Sequence, residues 1–138
     1  MSMKVGYTTL WVRDQEEALS FFEKLGFAVR EDVKNGDYRW LGVASTEQPD
    51  LAIALAKPGY PMDEATAQAV ESAVAKGMLS TLVFTTDDCF ATAAALKAKG
   101  IEFTRDAADR GYGVDATFRD PSGNEYRLLQ AAAQPAKS

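Results

Sequence analysis

Asp14-Gln15-Glu16-Glu17-Ala18-Leu19-Ser20-Phe21-Phe22-Glu23-Lys24-Leu25-Gly26 reads as one complete helix with both of its ends marked. Asp14 is an N-cap type, and Glu17 follows it at capping-box spacing. Ala18, Phe21, Phe22 and Leu25 recur at helical spacing and make one apolar face. Gly26 stands where a helix commonly ends on a left-handed residue. The same plan returns from Asp88 to Gly100, with a cap, an apolar stretch and a closing glycine. There the apolar face is read as Ala91, Ala94, Ala95 and Leu96. In both stretches the glycine falls twelve positions after the cap, and adding 74 carries the first onto the second, with Leu10 falling on Phe84 and Phe22 on Leu96.

The flanks repeat as well. Residues 5–12 are rich in β-branched and aromatic types and predict a strand before the first helix. Residues 27–29 start the next strand, Lys34-Asn35-Gly36-Asp37 predicts a hairpin turn, and residues 38–43 and 51–56 predict two more strands. Around the second helix, strands are predicted over residues 79–86, 101–103, 114–118 and 125–129. The turn Asp120-Pro121-Ser122-Gly123-Asn124 precedes the last of them: Pro121 presets φ, and Gly123 can supply a positive one. Between the halves, residues 63–76 predict a connector helix with Ala69, Val70, Ala73 and Val74 on one face and Gly77 closing it. The fold class is therefore α+β, built from two βαβββ modules. Their bounds are about 3–57 and 78–131, with the connector at about 62–77 and a frayed tail at 132–138, all within a single domain. Each module has helical cover on one face only, so its other face needs a second half, a partner or a ligand.

Composition narrows the chemistry. The chain has 138 residues and no run approaching the roughly 20 apolar residues of a membrane span. No secretory h-region follows Met1, which predicts a cytoplasmic protein. A net charge of −5 argues against nucleic-acid binding and suits a cationic ligand, although acidity of this order also serves solubility. Cys89 is the one cysteine, so no internal disulfide or thiolate cluster can form. It follows a helix cap, where a thiol pKa can fall, but without a base beside it a structural role is expected. The chain contains no histidine. That excludes Ser-His-Asp triads and any histidine-ligated metal.

Leu10-Trp11-Val12-Arg13-Asp14, Leu25-Gly26-Phe27, Gly111-Tyr112-Gly113 and Asp120-Pro121-Ser122-Gly123-Asn124 together resemble the vicinal oxygen chelate superfamily. That group includes glyoxalase I, extradiol dioxygenases, fosfomycin-resistance enzymes and bleomycin-resistance proteins. The resemblance implies paired βαβββ modules curled around a cavity, commonly completed in a homodimer. It also implies four metal ligands, mostly His and Glu, on the first and last strands of each module. Carried onto this chain, those positions are Tyr7, Thr81, Ile53 and Arg127. Ile53 has no donor atom, Arg127 is a permanent cation, Tyr7 would have to ionise and Thr81 is a poor neutral ligand. The expectation is a metal-free, cofactor-free member of the bleomycin-resistance type.

Strand alternation from Tyr7 places Val5, Thr9, Trp11, Leu51, Ile53, Leu55, Thr81, Val83, Thr85, Glu125, Arg127 and Leu129 on the concave face. Trp40 and Tyr112 are added at its middle and edge. The candidate ligand-binding residues are therefore Tyr7, Thr9, Trp11, Trp40, Ile53, Thr81, Tyr112, Glu125 and Arg127. They suit a flat or amphipathic small molecule held by stacking and a few polar groups. Each has a plainer reading: Trp11 and Trp40 as core or interface aromatics, Tyr7 as filler, Arg127 as the partner of Glu125 or Asp115. Two functions stay open beside a protein-docking dimer. One is sequestration of a drug or metabolite. The other is a metal-independent lyase or isomerase using Tyr7, Glu125 or Arg127.

Overall fold

A computed structural model describes residues 1–132. The predicted frayed tail falls almost entirely on 133–138, outside the described residues. The chain divides into two compact units: Met1–Leu79 with Pro121–Asn124, and Ser80–Asp120 with the stretch from Glu125 onward.

The first unit runs β1 (Tyr7–Trp11), α1 (Gln15–Lys24), β2 (Phe27–Asn35), β3 (Tyr38–Ser45), β4 (Ala52–Ala56) and α2 (Glu64–Ala75). Its four strands lie in the order β1-β4-β3-β2, with β1 parallel to β4 and the other pairs antiparallel. Asp14 caps α1 by accepting the Glu17 amide at 3.0 Å, and Gly26 takes φ +93°, as the sequence predicts. Ala18, Phe21 and Phe22 are buried, and Phe22 meets Phe27 edge-on at 5.3 Å. Leu10, Leu41, Val43, Ile53 and Leu55 are buried with them. The hairpin loop is Gly36-Asp37 with Gly36 at φ +63° and Asp37 not positive, a II′-like turn whose first central residue must be glycine. In α2, Val74 is fully buried but Ala69 is exposed, so the buried stripe is narrower than predicted.

The turn at residues 120–124 is fixed by the neighbours it finds in this first unit. The Asn124 side chain is buried and donates to the Trp11 carbonyl at 2.7 Å. The Ser122 hydroxyl accepts the Arg13 amide at 2.9 Å. At Gly123, φ is +113°, and a Cβ would stand 2.6 Å from the carbonyl oxygens of Val74 and Ala75. Only glycine allows the turn to approach the end of α2 so closely.

The second unit runs β5 (Val83–Thr85), α3 (Cys89–Ala98), β6 (Glu102–Asp109), β7 (Gly113–Arg119) and β8 (Glu125–Ala131), in the sheet order β5-β8-β7-β6. Strand β5 is much shorter than the eight residues predicted, because only Val83, Phe84 and Thr85 find ladder partners on β8. Asp88 caps α3 through the Ala91 amide at 3.0 Å, and Gly100 takes φ +89°. The predicted face of α3 is corrected: Ala91, Ala94 and Ala95 are exposed, whereas Cys89, Ala93 and Leu96 are buried. An alanine-rich helix has too little contrast between its sides for periodicity to set its phase. The aromatic cluster of Phe84, Phe103, Phe118 and Tyr126 completes this core, with Phe84 and Phe118 stacked at 5.7 Å.

The two modules are built alike in a detail their side chains hide. The Gln15 amide donates to the Leu55 carbonyl at 2.8 Å, tying the start of α1 to β4. In the second unit the Cys89 thiol lies 3.7 Å from the Leu128 carbonyl and ties the start of α3 to β8. Burial pushes that thiol's pKa up, with Asp115 and Asp88 adding to the effect, so Cys89 packs as a small structural residue.

Candidate functional site

In the first unit the sheet face turned away from α1 is set by register. Tyr7 lies opposite Ala52 and Thr9 opposite Ala54, and Gly42 of β3 also pairs with Ala54. Residues opposite one another share a face, so Tyr7, Thr9, Trp11, Trp40, Gly42, Ala52 and Ala54 belong together. The Tyr7 ring covers Gly42, where a Cβ would come within 3.5 Å of Tyr7 Cε1. It meets Trp40 edge-on at 5.2 Å. Arg30 stands over the same ring, its Cζ 5.5 Å from the centroid. Arg30 is the extra residue of a bulge between Val29 and Glu31, a feature that re-aims a side chain.

Ile53 is a correction. It pairs with Thr8 and Val43, is 5% exposed and points to the α1 face with Leu55. The stretch Leu51-Ala52-Ile53-Ala54-Leu55 alternates large with small. The large members fill the space under the helix and the small ones floor the other face. Side-chain size carried the signal, and a constant offset between the modules obscured it. In-register partners in parallel strands are Thr9 with Ala54 and Val83 with Arg127, so the structural counterpart of Arg127 is Ala54.

In the second unit Val83, Arg127 and Thr117 lie side by side on β5, β8 and β7, with Thr85, Leu129 and Asp115 in the next row. Asp115 organises this face. It is 2% exposed, and its carboxylate accepts Arg110 Nε at 2.8 Å, the Tyr112 hydroxyl at 2.7 Å and Arg127 Nε at 2.9 Å. Arg110 and Tyr112, followed by Arg127, hold its pKa well below the usual carboxylate range against the opposing cost of burial. The guanidinium of Arg127 lies over the Tyr112 ring at 5.2 Å. Of the two partners considered for Arg127, the structure chooses Asp115. Glu125 instead lies 3.7 Å from Arg119, with both side chains half exposed. Thr81 sits ahead of β5, and its hydroxyl donates to the Glu125 carbonyl.

The sequence-predicted residues thus fall into two groups: Tyr7, Thr9, Trp11 and Trp40 on one face of the first unit, and Tyr112, Glu125 and Arg127 in the second. Sequence reasoning missed Arg30, Gly42, Ala52, Ala54 and Arg110. Arg30 depends on a bulge and Arg110 on the end of β6, and neither leaves a periodic trace.

Comparison with known proteins decides the family. The model of the Glyoxalase/Bleomycin resistance protein/Dioxygenase superfamily matches residues 4–128. The chain belongs to this superfamily. Among curated relatives, YurT of Bacillus subtilis (strain 168), itself uncharacterised, is 32% identical over 129 residues, covering 93% of this chain and 99% of YurT. Among solved structures, UcmS2 is 35% identical with a TM-score of 0.86, covering 94% of this chain and 98% of its own. TnmS3, described as an antibiotic binding protein from Streptomyces sp. CB03234, is 29% identical with a TM-score of 0.73, covering 95% and 98%.

The donor set of this superfamily member does not fit the divalent metal used by enzymes of the fold. Among the described residues no group of three or more His, Cys, Asp or Glu side chains could hold an ion. The guanidinium of Arg127, not a ligand, stands on the last strand of the second module. No helix among the described residues is long and apolar enough to cross a membrane.

Proposed function

We propose that this protein binds a small organic molecule without a metal and sequesters it unchanged, as a homodimer whose clefts hold a drug or metabolite. The observation that carries this reading is Arg127, clamped by Asp115 at the middle of a sheet face. An arginine held there can recognise a ligand but cannot coordinate a metal. The antibiotic-binding description of TnmS3 supports the same direction. Tyr7 and Trp40 supply aromatic surface, with Tyr7 36% exposed.

A metal-independent enzyme built on Tyr7, Glu125 or Arg127 is the weaker reading. Arg127 stays a cation and moves no proton, and Glu125 is engaged with Arg119. The test is a tryptophan fluorescence titration against a panel of planar antibiotics, followed by recovery and mass analysis of each ligand. Saturable quenching with unchanged ligand is expected. Chemical conversion of a bound ligand would favour the enzyme, and light scattering that reports a monomer would remove the homodimer.

A further inference from the structure

The chain as a whole is acidic, yet the ion cluster that contains Arg127 holds more cations than anions. Arg110 and Arg127 bring two positive charges to the single carboxylate of Asp115, which leaves an excess of one. Of the neighbouring acids, Asp106 pairs with Lys97 at 2.6 Å and Glu125 faces Arg119, while Asp109 keeps its charge and accepts the Gly111 amide at 2.9 Å.

Arg127 is also held in one particular way. Only its Nε reaches Asp115, and the ring of Tyr112 supports its plane. The bond to Asp115 is made through Nε and not through a terminal nitrogen, the Tyr112 hydroxyl also lies near the guanidinium, and the side chain is 39% exposed. A guanidinium fixed through Nε presents its outer edge as a fork whose spacing matches two carboxylate oxygens. Beside it, Val83 is 56% exposed and Tyr112 54% exposed. Val83 is the in-register neighbour of Arg127 on β5. A cationic fork thus lies next to uncovered apolar and aromatic surface within one unit.

We infer that Arg127 recognises an organic carboxylate with a flat apolar body, its two oxygens on the terminal nitrogens of Arg127 and its body against Val83 and Tyr112. Asp115 is the positioning residue. This rests on the binding function proposed above and reverses the sign of ligand that net charge alone suggests. The first unit repeats the motif by itself, with Arg30 over the partly exposed ring of Tyr7.

The test is calorimetric titration of the full chain with three probes of one shape: 2-naphthoate, 2-naphthalenemethanol and 2-naphthylmethylammonium. The naphthoate is expected to bind about tenfold or more tighter than either of the others, the effect of a charge-assisted bidentate contact. Arg127→Gln should abolish that preference, and Arg127→Lys, which keeps the charge but loses the fork, should retain only part of it. Thermal melts confirm that both variants are folded, and the wild-type probe series stands without them. Equal affinity for all three probes, or preference for the cation, overturns this inference but leaves the binding function standing. If none of the three binds while a planar antibiotic does, the inference again falls alone. If nothing binds in either experiment, both fall.

Discussion

Asp115 carries a full negative charge out of water because three donors converge on it. Removing the charge leaves Arg110 and Arg127 facing each other without their counter-ion. Asp115→Asn should therefore lower stability by about 2 kcal/mol at neutral pH, a figure kept modest because Arg127 is partly in water. The folded-state pKa lies below the unfolded one. The stabilisation is thus present above the unfolded value of about 4 and is lost as the pH falls through the folded value. Urea titrations of wild type and variant should show their gap narrowing as the pH is taken from 7 towards 3, and a constant gap would mean that charge is not the cause. The odd arginine was visible in sequence because a cation between Tyr126 and Leu128, in mid-strand, needs a reason. Its partner was narrowed to two acids, and only the register of β7 against β8 could choose between them. That register puts Thr117 opposite Arg127 and Asp115 one pleat further along the same face.

At the scale of elements, the caps and closing glycines were fully legible, because each depends on a local backbone requirement met by a local residue type. Asp14→Ala and Asp88→Ala should each cost about 1 kcal/mol in chemical denaturation, since each removes one acceptor from an amide at a helix start. Burial phase in α3 was not legible, since a helix of alanines looks much the same from every side. The 120–124 turn shows where local reading stops. Its conformation follows from Pro121 and Gly123, but its docking depends on Asn124 reaching Trp11 and on Gly123 passing over the end of α2. Gly123→Ala should be among the most damaging single changes, costing about 3 kcal/mol, because backbone carbonyls at 2.6 Å cannot move aside as a flexible side chain would. A melting temperature unchanged from wild type would contradict that packing.

For the whole molecule, the repeat made the βαβββ architecture readable before any coordinates, since two capped helices with matching flanks constrain far more than either does alone. Site composition was only half readable, because it depends on which face each last strand presents. Purified protein should contain no stoichiometric zinc, nickel, manganese or iron by elemental analysis; near-equimolar metal would contradict the donor set. The two modules differ by one residue between their caps and their last strands, and that difference has an engineering consequence. A strand shows alternate residues to opposite sides, so an insertion acts by parity. One extra residue in the exposed loop after β3 can be absorbed before pairing begins. The same insertion between Asn124 and Arg127 would turn the arginine under α3 and bring Tyr126 or Leu128 outward. Libraries that vary loop length in this scaffold should therefore tolerate changes before β4 far better than changes after the 120–124 turn, where a single codon exchanges the inside of the sheet for the outside.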